Sequence, residues 1–347
     1  MLFKERFRKA IQAVWQQKGY MLYPLIPLSW LFILVAALRR RLYQKGVLTQ
    51  THFKIPIIVV GNLSLGGSGK TPLVIYSAKM LQTRGLRVGI ISRGYKGSHQ
   101  QPTLVNTQSD PALVGDEPYL IYQHLQCPLV VGKDRVAALQ YLLANNTVDV
   151  VLSDDGLQHY ALARSIEIVV MPFVGAGLSA GPVPINTYCL PAGPLREPLS
   201  RLKTVDLIVY NAAQVPEPSI DKPVYCMQYI PDFLHNAMDL GKKQPLAFFK
   251  GIKVHAVTGL GNPTQFFTML QAAGLDIIPH IYPDHYAYKA SDILFEDSLP
   301  VILTEKDFVK CTHFVQNQHW VLPIHVCMSE GFDKALWDLI QTKMQPV

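Results

Sequence analysis

Charged side chains are scarce in this sequence. Asp, Glu, Lys and Arg make up only 16% of its 347 residues, whereas hydrophobic residues make up 49%, and the mean hydropathy is positive at +0.16. Since about a quarter of the residues are charged in an ordinary soluble domain, the deficit indicates a membrane or lipid partner. The length exceeds that of a single hydrophobic core, so we expect two α/β units and an appendage.

Cysteine motifs are also lacking. The cysteines are scattered and odd in number, and none belongs to a CxxC motif or to a Cys/His spacing that binds a metal. They are Cys127, Cys189, Cys226, Cys311 and Cys327. This pattern disfavours a metallochaperone, and it is typical of a reducing compartment with buried or incidental thiols.

The excess positive charge is confined to the N-terminus. Residues 1–46 carry nine basic side chains and one acidic side chain, a net charge of +8, whereas the whole chain carries +7. The remaining residues, 47–347, therefore carry a net charge of −1. Because a nucleic-acid-binding protein needs a basic face on its folded body, we predict no nucleic-acid partner. An anionic membrane surface fits the charge distribution instead.

An apolar segment lies between basic clusters near the N-terminus. Residues 19–38 carry no charge, and an ideal helix of that length would span about 30 Å, barely the hydrocarbon thickness of a bilayer. Pro24 and Pro27 are expected to weaken this helix. A signal peptide is disfavoured because arginines at residues 39–41 follow the apolar run without a cleavage site. Between a transmembrane anchor and a segment lying in the membrane interface, we favour the interfacial, monotopic form.

After residue 46, apolar runs alternate with helix-like segments, which predicts a P-loop NTPase-like, doubly wound and mostly parallel α/β sheet. The candidate strands of this domain are residues 55–60, 87–92, 128–131, 149–153, 166–171 and 206–210. Candidate helices are residues 71–84 and 134–144. Residues 172–198, rich in proline and glycine, predict a long ordered loop.

A second, smaller α/β unit is expected after residues 212–223, which resemble a domain junction. Its candidate strands are residues 254–258, 277–282, 301–304 and 324–328. We therefore predict a membrane-associating segment, a core domain and a smaller C-terminal domain that closes a cleft, with the boundaries 1–46, 47–212 and 213–347.

The segment SLGGSGKT is a glycine-rich loop between a predicted strand and a predicted helix, the context that a phosphate-binding loop requires. Its backbone amides and the helix N-terminus would wrap the β-phosphate. Lys70 would reach the β/γ oxygens, and Thr71 would hold Mg²⁺. The predicted nucleotide-binding residues are Ser64, Leu65, Gly66, Gly67, Ser68, Gly69, Lys70 and Thr71. Because the strict motif has glycine where Ser64 stands, the loop alone supports only a nucleotide-binding protein.

Two pairs of carboxylates are candidates for metal binding or proton transfer. The stretch VDVVLSDDG is an apolar strand that ends in Asp154 and Asp155, so either could approach Mg²⁺ as in a Walker B strand. Asp116 and Glu117 lie between two βα units, and Asp116 could accept a proton from an attacking hydroxyl. A helix N-cap remains the alternative for Asp116.

Loops that follow predicted strands carry Arg93, Arg164 and Arg196. These arginines could bind phosphate or substrate, or they could form surface ion pairs. His285 follows Asp284 in YPDHYAY, where a carboxylate could orient it as part of a base. An exposed histidine without such a role is the alternative.

The joint occurrence of several blocks resembles the tetraacyldisaccharide 4'-kinase family of lipid A biosynthesis. The blocks, in chain order, are GNLSLGGSGKTP, SRGYKG, GDEP, SDDGLQHY, GPLREP, TGLGNPTQFF, YPDHYAY and LTEKD. The resemblance extends from the N-terminal segment to about residue 310. It implies that ATP and Mg²⁺ are used to phosphorylate the 4'-hydroxyl of a tetraacylated glucosamine disaccharide 1-phosphate. It also implies the cytoplasmic face of a Gram-negative inner membrane, and we expect no obligatory protein partner.

The resemblance further implies residue roles. The aspartate of the DEP block and the histidine of the PDH block act as a proton-accepting pair in the family, and they correspond to Asp116 and His285. A serine or threonine at the position of Ser64 agrees with the family. Tyr286 stands where a second histidine is frequent.

The same resemblance assigns the phosphate and metal ligands. Lys70 and Thr71 correspond to the lysine and threonine of the phosphate loop, and Asp154 and Asp155 correspond to the DDG carboxylates. Glu117 would assist the metal.

Two rival classes fit less well. A P-loop regulatory GTPase would need [NT]KxD to recognise guanine, whereas LTEKD has glutamate where the lysine belongs. A soluble small-molecule kinase or ligase with the same loop would leave the basic, apolar N-terminus unexplained. We therefore predict a membrane-associated, ATP-dependent kinase.

Overall fold

The computed structural model describes Trp15 and residues 20–95, 97–98, 100–172, 186–212 and 221–344. Residues 173–185 of the predicted loop at 172–198 and residues 213–220 of the predicted junction at 212–223 lie outside these residues, as do the first basic residues of the N-terminal segment. The strands are, in chain order, β1 (Ile57–Gly61), β2 (Val88–Ser92), β3 (Thr103–Leu104), β4 (Leu129–Val131), β5 (Val150–Asp154), β6 (Ile166–Met171), β7 (Leu207–Asn211), β8 (Val224–Pro231), β9 (Leu234–Asn236), β10 (Lys243–Gln244), β11 (Lys253–Thr258), β12 (Asp276–Ile281), β13 (Val301–Thr304), β14 (His319–Leu322) and β15 (Ile324–Met328). The α-helices are α1 (Ile26–Gln44), α2 (Lys70–Thr83), α3 (Pro111–Val114), α4 (Asp116–Leu125), α5 (Arg135–Asn145), α6 (Thr264–Ala272), α7 (Glu305–Phe308) and α8 (Phe332–Met344).

The chain divides into two compact units that are discontinuous in sequence. The first unit comprises Met1–Ile90, Thr147–Met227 and Met328–Val347, and the second comprises Ile91–Asn146 and Gln228–Cys327. The boundaries predicted after residues 46 and 212 follow chain order, whereas these units do not. Residues 91–146, which lie in the chain between β2 and β5 of one sheet, thus belong to the second unit. Hydrophobic periodicity does not reveal such a division.

A parallel sheet forms the centre of the first unit. Its strands follow the order β8-β7-β6-β1-β5-β2, and β1 pairs in parallel with both β5 and β6. Every residue of β1 is buried, because a central parallel strand is covered on both faces and is apolar throughout rather than alternating. Helix α2 contributes Leu73, Val74 and Leu81 to the core. The predicted doubly wound α/β class is confirmed.

The second unit contains a sheet with the order β10-β9-β14-β13-β11-β12. Strands β11, β12, β13 and β14 form its parallel centre, whereas β9 and β10 run antiparallel at one edge. Its core includes Phe249, Phe266 and Trp320. The strands predicted at 254–258, 277–282 and 301–304 are confirmed to within a residue at their ends, whereas the one predicted at 324–328 forms β15 at the edge of the other sheet, next to β8. Strands β9, β10 and β14 were missed because two to four residues show too little periodicity.

Helix α1 packs along the first unit. Ser29 is fully buried, and its Oγ donates to the carbonyl of Cys189 at 2.8 Å. Near the other end of the helix, Nη2 of Arg40 donates to Oγ1 of Thr204 at 2.9 Å. The prolines do not interrupt α1, because Pro24 lies in the preceding 3₁₀ turn and Pro27 in the first turn of the helix, where a missing N–H costs little.

Candidate active site

The glycine-rich loop joins the carboxyl end of β1 to the first residue of α2. Gly69, the residue before α2, has a φ of 95°, a left-handed conformation that only glycine adopts readily. The loop is also held from outside, because the amide of Leu65 donates to the carbonyl of Pro194 at 2.8 Å. The strand, loop and helix required for a phosphate-binding loop are therefore all present, with the positive end of α2 facing the loop.

The DDG carboxylates lie at the same edge of the sheet as the loop. Asp154 ends β5 and pairs in register with Val60 of β1, one residue before the loop begins. Nζ of Lys70 lies 3.5 Å from Oδ1 of Asp155, and Nη1 of Arg196 lies 3.3 Å from the same oxygen. Two cations thus converge on one carboxylate beside the loop.

The donor set at this edge suits magnesium. Thr71 in the first turn of α2 and Asp154 at the end of β5 provide hydroxyl and carboxylate oxygens, the hard ligands that Mg²⁺ prefers. Within the described ranges, no group of three or more His, Cys, Asp or Glu side chains could hold a metal by itself. Because Mg²⁺ usually takes one or two protein oxygens and fills its shell with water and phosphate oxygens, these residues fit an ion that arrives with ATP.

Asp116 and His285 meet in the second unit. Nδ1 of His285 lies 3.0 Å from Oδ2 of Asp116, and the two side chains are only 8% and 13% exposed. The N-cap of α4 is Gly115, and Asp116 is the first helical residue, so the alternative of Asp116 as an N-cap is wrong. The alternative of an isolated, exposed histidine is also wrong for His285. The ring of Tyr95 contacts the imidazole edge-on, with centroids 5.4 Å apart.

The backbone before Asp116 requires glycine. Gly115 has a φ of 97°, and a Cβ at this position would lie 3.2 Å from the carbonyl oxygen of Tyr95. The SRGYKG and GDEP blocks therefore pack backbone against backbone. This close packing fixes where α4 begins and, with it, the position of the Asp116 carboxylate.

The predicted arginines have different surroundings. Arg93 is exposed, and Arg196 contacts Asp155 as described above. Nη1 of Arg164 donates to the carbonyl of Leu157 at 2.7 Å and lies 3.2 Å from Oε1 of Glu167. This geometry supports a role for Arg164 in bracing the segment after the DDG carboxylates, and its role in substrate binding stays a prediction.

A buried network beside the phosphate loop was missed in the sequence. Glu197 accepts hydrogen bonds from the hydroxyl of Tyr160 at 2.6 Å and from Nε2 of Gln158 at 2.9 Å, and Nε of Arg201 lies 3.3 Å away. Burial, together with the charge of Glu197, raises the pKa of Tyr160. The network joins the GPLREP block to the SDDGLQHY block. Its only sequence signal was the joint occurrence of these blocks, which indicates no contact.

A second residue that the sequence analysis did not single out is Lys306 of the LTEKD block. Its Nζ lies 2.8 Å from Oε1 of Glu117 and 3.2 Å from Oδ1 of Asp284. Glu117, which was predicted to assist the metal, thus has a lysine as its partner in the second unit. The metal role of Glu117 stays a prediction.

A parallel sheet whose β1 runs into a glycine-rich loop and a helix, with two aspartates at the end of the neighbouring β5, defines a P-loop nucleotide-binding phosphotransferase. Comparison with known proteins narrows this class. The sequence model of the family described as tetraacyldisaccharide-1-P 4'-kinase (LpxK) matches residues 21–341. The chain belongs to this family, and the match continues beyond residue 310, where the recognised blocks end.

Individual relatives agree with this assignment. The tetraacyldisaccharide 4'-kinase of Nitrosococcus oceani is 46% identical over 319 residues, which cover 91% of this chain and 90% of that protein. The protein of the same name from Hahella chejuensis is 43% identical over 330 residues, with 93% and 94% covered. A crystal structure described as the "apo" form of LpxK from Aquifex aeolicus in complex with ATP superposes with a TM-score of 0.76 at 30% identity, covering 92% of this chain and 99% of that one. The family, the fold and the class of ATP-dependent kinase predicted from the sequence are confirmed.

Proposed function

We propose that this chain transfers the γ-phosphate of ATP to the 4'-hydroxyl of a tetraacylated glucosamine disaccharide 1-phosphate, which yields the 4'-phosphorylated lipid A precursor. The observation that carries the proposal is a complete phosphate loop between β1 and α2, with Lys70 next to the DDG carboxylates, in a chain of this family. The identity of the acceptor is inferred from the relatives that are named tetraacyldisaccharide 4'-kinase.

The first unit binds the nucleotide. The loop amides and the N-terminus of α2 hold the β-phosphate, and Lys70 leaves Asp155 to contact the β/γ oxygens, since a phosphate dianion attracts an ammonium group more strongly than one carboxylate does. Thr71, Asp154 and Asp155 are the residues that would hold Mg²⁺, which neutralises developing charge on the phosphate oxygens when it is bound. Arg196 keeps Asp155 in place while Lys70 moves.

The second unit carries the proton acceptor. Nδ1–H of His285 donates to Oδ2 of Asp116, which orients the carboxylate and leaves its other oxygen to accept the proton of the 4'-hydroxyl. The hydroxyl oxygen forms a bond to the γ-phosphorus as the bond from that phosphorus to the bridging oxygen breaks, and ADP leaves with the electron pair. The proton remains on the Asp116–His285 pair until solvent removes it.

The exposed face of α1 supports an interfacial membrane attachment. The helical stretch Leu22–Gln44 is long and apolar enough to cross a membrane, but Ser29 and Arg40 both contact the folded unit. Their contacts are about 16 Å apart along the helix, so α1 lies against the unit over much of its length. The outer face of the stretch Leu22–Gln44 carries large apolar side chains more than half exposed, which are Tyr23, Leu28, Trp30, Leu31, Leu34, Val35 and Leu38. We place this face in the cytoplasmic leaflet of the inner membrane, with residues 39–41 near anionic headgroups.

The test is a reconstituted assay. The purified chain in vesicles with anionic lipid is mixed with γ-labelled ATP, Mg²⁺ and the acylated disaccharide 1-phosphate, and the product is analysed by mass spectrometry. We expect the mass of one phosphate to be added at the 4' position. The matched control substrate is the 4'-deoxy disaccharide, which should accept no label. Labelling of the 4'-deoxy substrate, or ATP hydrolysis without a phosphorylated lipid, would contradict the proposal.

A further inference from the structure

Lys306 is a shielded cation beside the proton-accepting pair. It belongs to α7, which begins directly after β13, and its side chain is only 14% exposed. Burial disfavours its charge, but Glu117 and Asp284 outweigh burial and raise the pKa of Lys306. Lys306 therefore stays charged at physiological pH, although little of it faces water.

The partners of Lys306 are the chain neighbours of the pair. Glu117 follows Asp116 in the first turn of α4. Asp284 precedes His285, and its Oδ2 lies 3.7 Å from Nε2 of that histidine. One ammonium group thus joins the segment that carries Asp116 to the segment that carries His285.

We propose that Lys306 is a positioning residue for the Asp116–His285 pair. The inference rests on the proposed function, because it assigns a consequence to the pair only if the pair accepts the proton of the acceptor hydroxyl.

The positioning role follows from backbone conformation and bonding. His285 has a φ of 59°, a left-handed conformation that is unfavourable for a residue with a side chain and persists only when its surroundings hold it. Lys306 supplies two charge-assisted hydrogen bonds, one to the turn through Asp284 and one to α4 through Glu117, and such bonds are stronger than neutral ones. Tyr95 closes another side of the imidazole.

The test compares Lys306→Met, Lys306→Arg and Lys310→Met in the full-length chain with the reconstituted assay above. Lys310 is a matched control, because its Nζ pairs with Asp307 at 2.9 Å in the same part of the second unit and contacts neither Glu117 nor Asp284 among the described residues. The readouts are kcat, the KM for ATP and the thermal unfolding midpoint.

For Lys306→Met we expect kcat to fall about tenfold or more while the KM for ATP changes less than about twofold, since positioning of a proton acceptor affects the transition state. Lys306→Arg retains the charge and the hydrogen-bond donors and should recover part of kcat. Lys310→Met should lower the unfolding midpoint with little change in kcat.

Asp284→Asn keeps the inference testable if Lys306→Met does not fold, because it weakens the bond from Lys306 to the turn of His285 and should lower kcat while the KM for ATP changes little. A folded Lys306→Met variant with the kcat of the unaltered chain would overturn the inference, as would an Asp284→Asn variant with an unchanged kcat. If the unaltered chain itself fails to phosphorylate the disaccharide, the proposed function fails instead, and the two failures are distinguishable.

Discussion

Nδ1 of His285 lies 3.0 Å from Oδ2 of Asp116, although 169 positions separate the two residues in the chain. Both belong to the second compact unit, and both side chains are largely shielded from water. A hydrogen bond of this length holds the two side chains in a fixed mutual orientation, as the proposed transfer of a proton to Asp116 requires.

Asp116→Asn should remove the proton acceptor and leave the fold intact, because the amide has the same shape. We expect kcat to fall about 10²- to 10⁴-fold with little change in ATP affinity, measured by the lipid kinase assay and by binding of an ATP analogue. Asp110→Asn is the matched control, since Asp110 caps the neighbouring helix α3 and should retain near-normal turnover. Near-normal turnover of Asp116→Asn would remove Asp116 from this role.

Lys70→Met should abolish phosphoryl transfer, because no other side chain of the loop carries a positive charge to the β/γ oxygens. We expect a loss of about 10²-fold or more in kcat/KM, on the scale of removing a charged group from the transition state. Lys79→Met on the exposed side of the same helix is the control and should behave like the unaltered chain. Equal losses in the two variants would indicate damage to α2 rather than a role for Lys70.

Leu31→Glu combined with Leu34→Glu should weaken membrane binding, because both side chains lie on the exposed face of α1 and charges there oppose insertion into lipid. Co-sedimentation with anionic vesicles should decrease, and activity on the lipid substrate should decline with it, while ATP binding is unchanged. Val47→Glu is the control, since Val47 is equally exposed, at 68%, but lies beyond the end of α1. Unchanged sedimentation of the double variant would contradict the interfacial attachment.

The thiols should differ in reactivity. Burial raises the pKa of Cys127 to about 12 and that of Cys189 to about 11, so these thiols stay protonated at pH 8 and react only as the pH approaches those values. Cys226 and Cys311 are buried as well, whereas Cys327 is exposed. At pH 8 a maleimide should therefore label the folded chain once, at Cys327, and all cysteines only after denaturation. Mass spectrometry of the intact chain counts the labels, and rapid labelling of Cys127 in the folded chain would contradict this burial.

Much of the nucleotide-binding unit was predictable because its signals are local. The glycine-rich loop, the preceding β1 and the following α2 occupy one continuous stretch of sequence. The apolar run of β5 leads directly into Asp154 and Asp155, so these aspartates could be placed at the end of a strand. The discontinuous second unit was harder to predict from the sequence. It combines residues 91–146 with residues from the C-terminal half, and no local pattern indicates which distant strands a segment will join.

The N-terminal segment shows the same limit. Its apolar composition and basic borders predicted a membrane-associating helix, and the charge count could not distinguish a span from an interfacial helix. The hydrogen bonds of Ser29 and Arg40 to residues more than 150 positions away are what favour the interfacial arrangement. A serine and an arginine in an amphipathic helix carry no sequence signal for such distant partners.

The sequence by itself determined the class of protein, because a phosphate loop depends on glycine positions, a lysine and a hydroxyl within eight consecutive residues, and because the ordered blocks indicated the family. The family resemblance implied that Asp116 and His285 act as a pair, but only the tertiary structure decided how close they lie, that Lys306 links their neighbours and that Glu197 ties two blocks together. Each of these relationships joins side chains from separate parts of the chain. Their geometry arises from how the helices and strands pack, and the spacing of residues along the chain does not encode it.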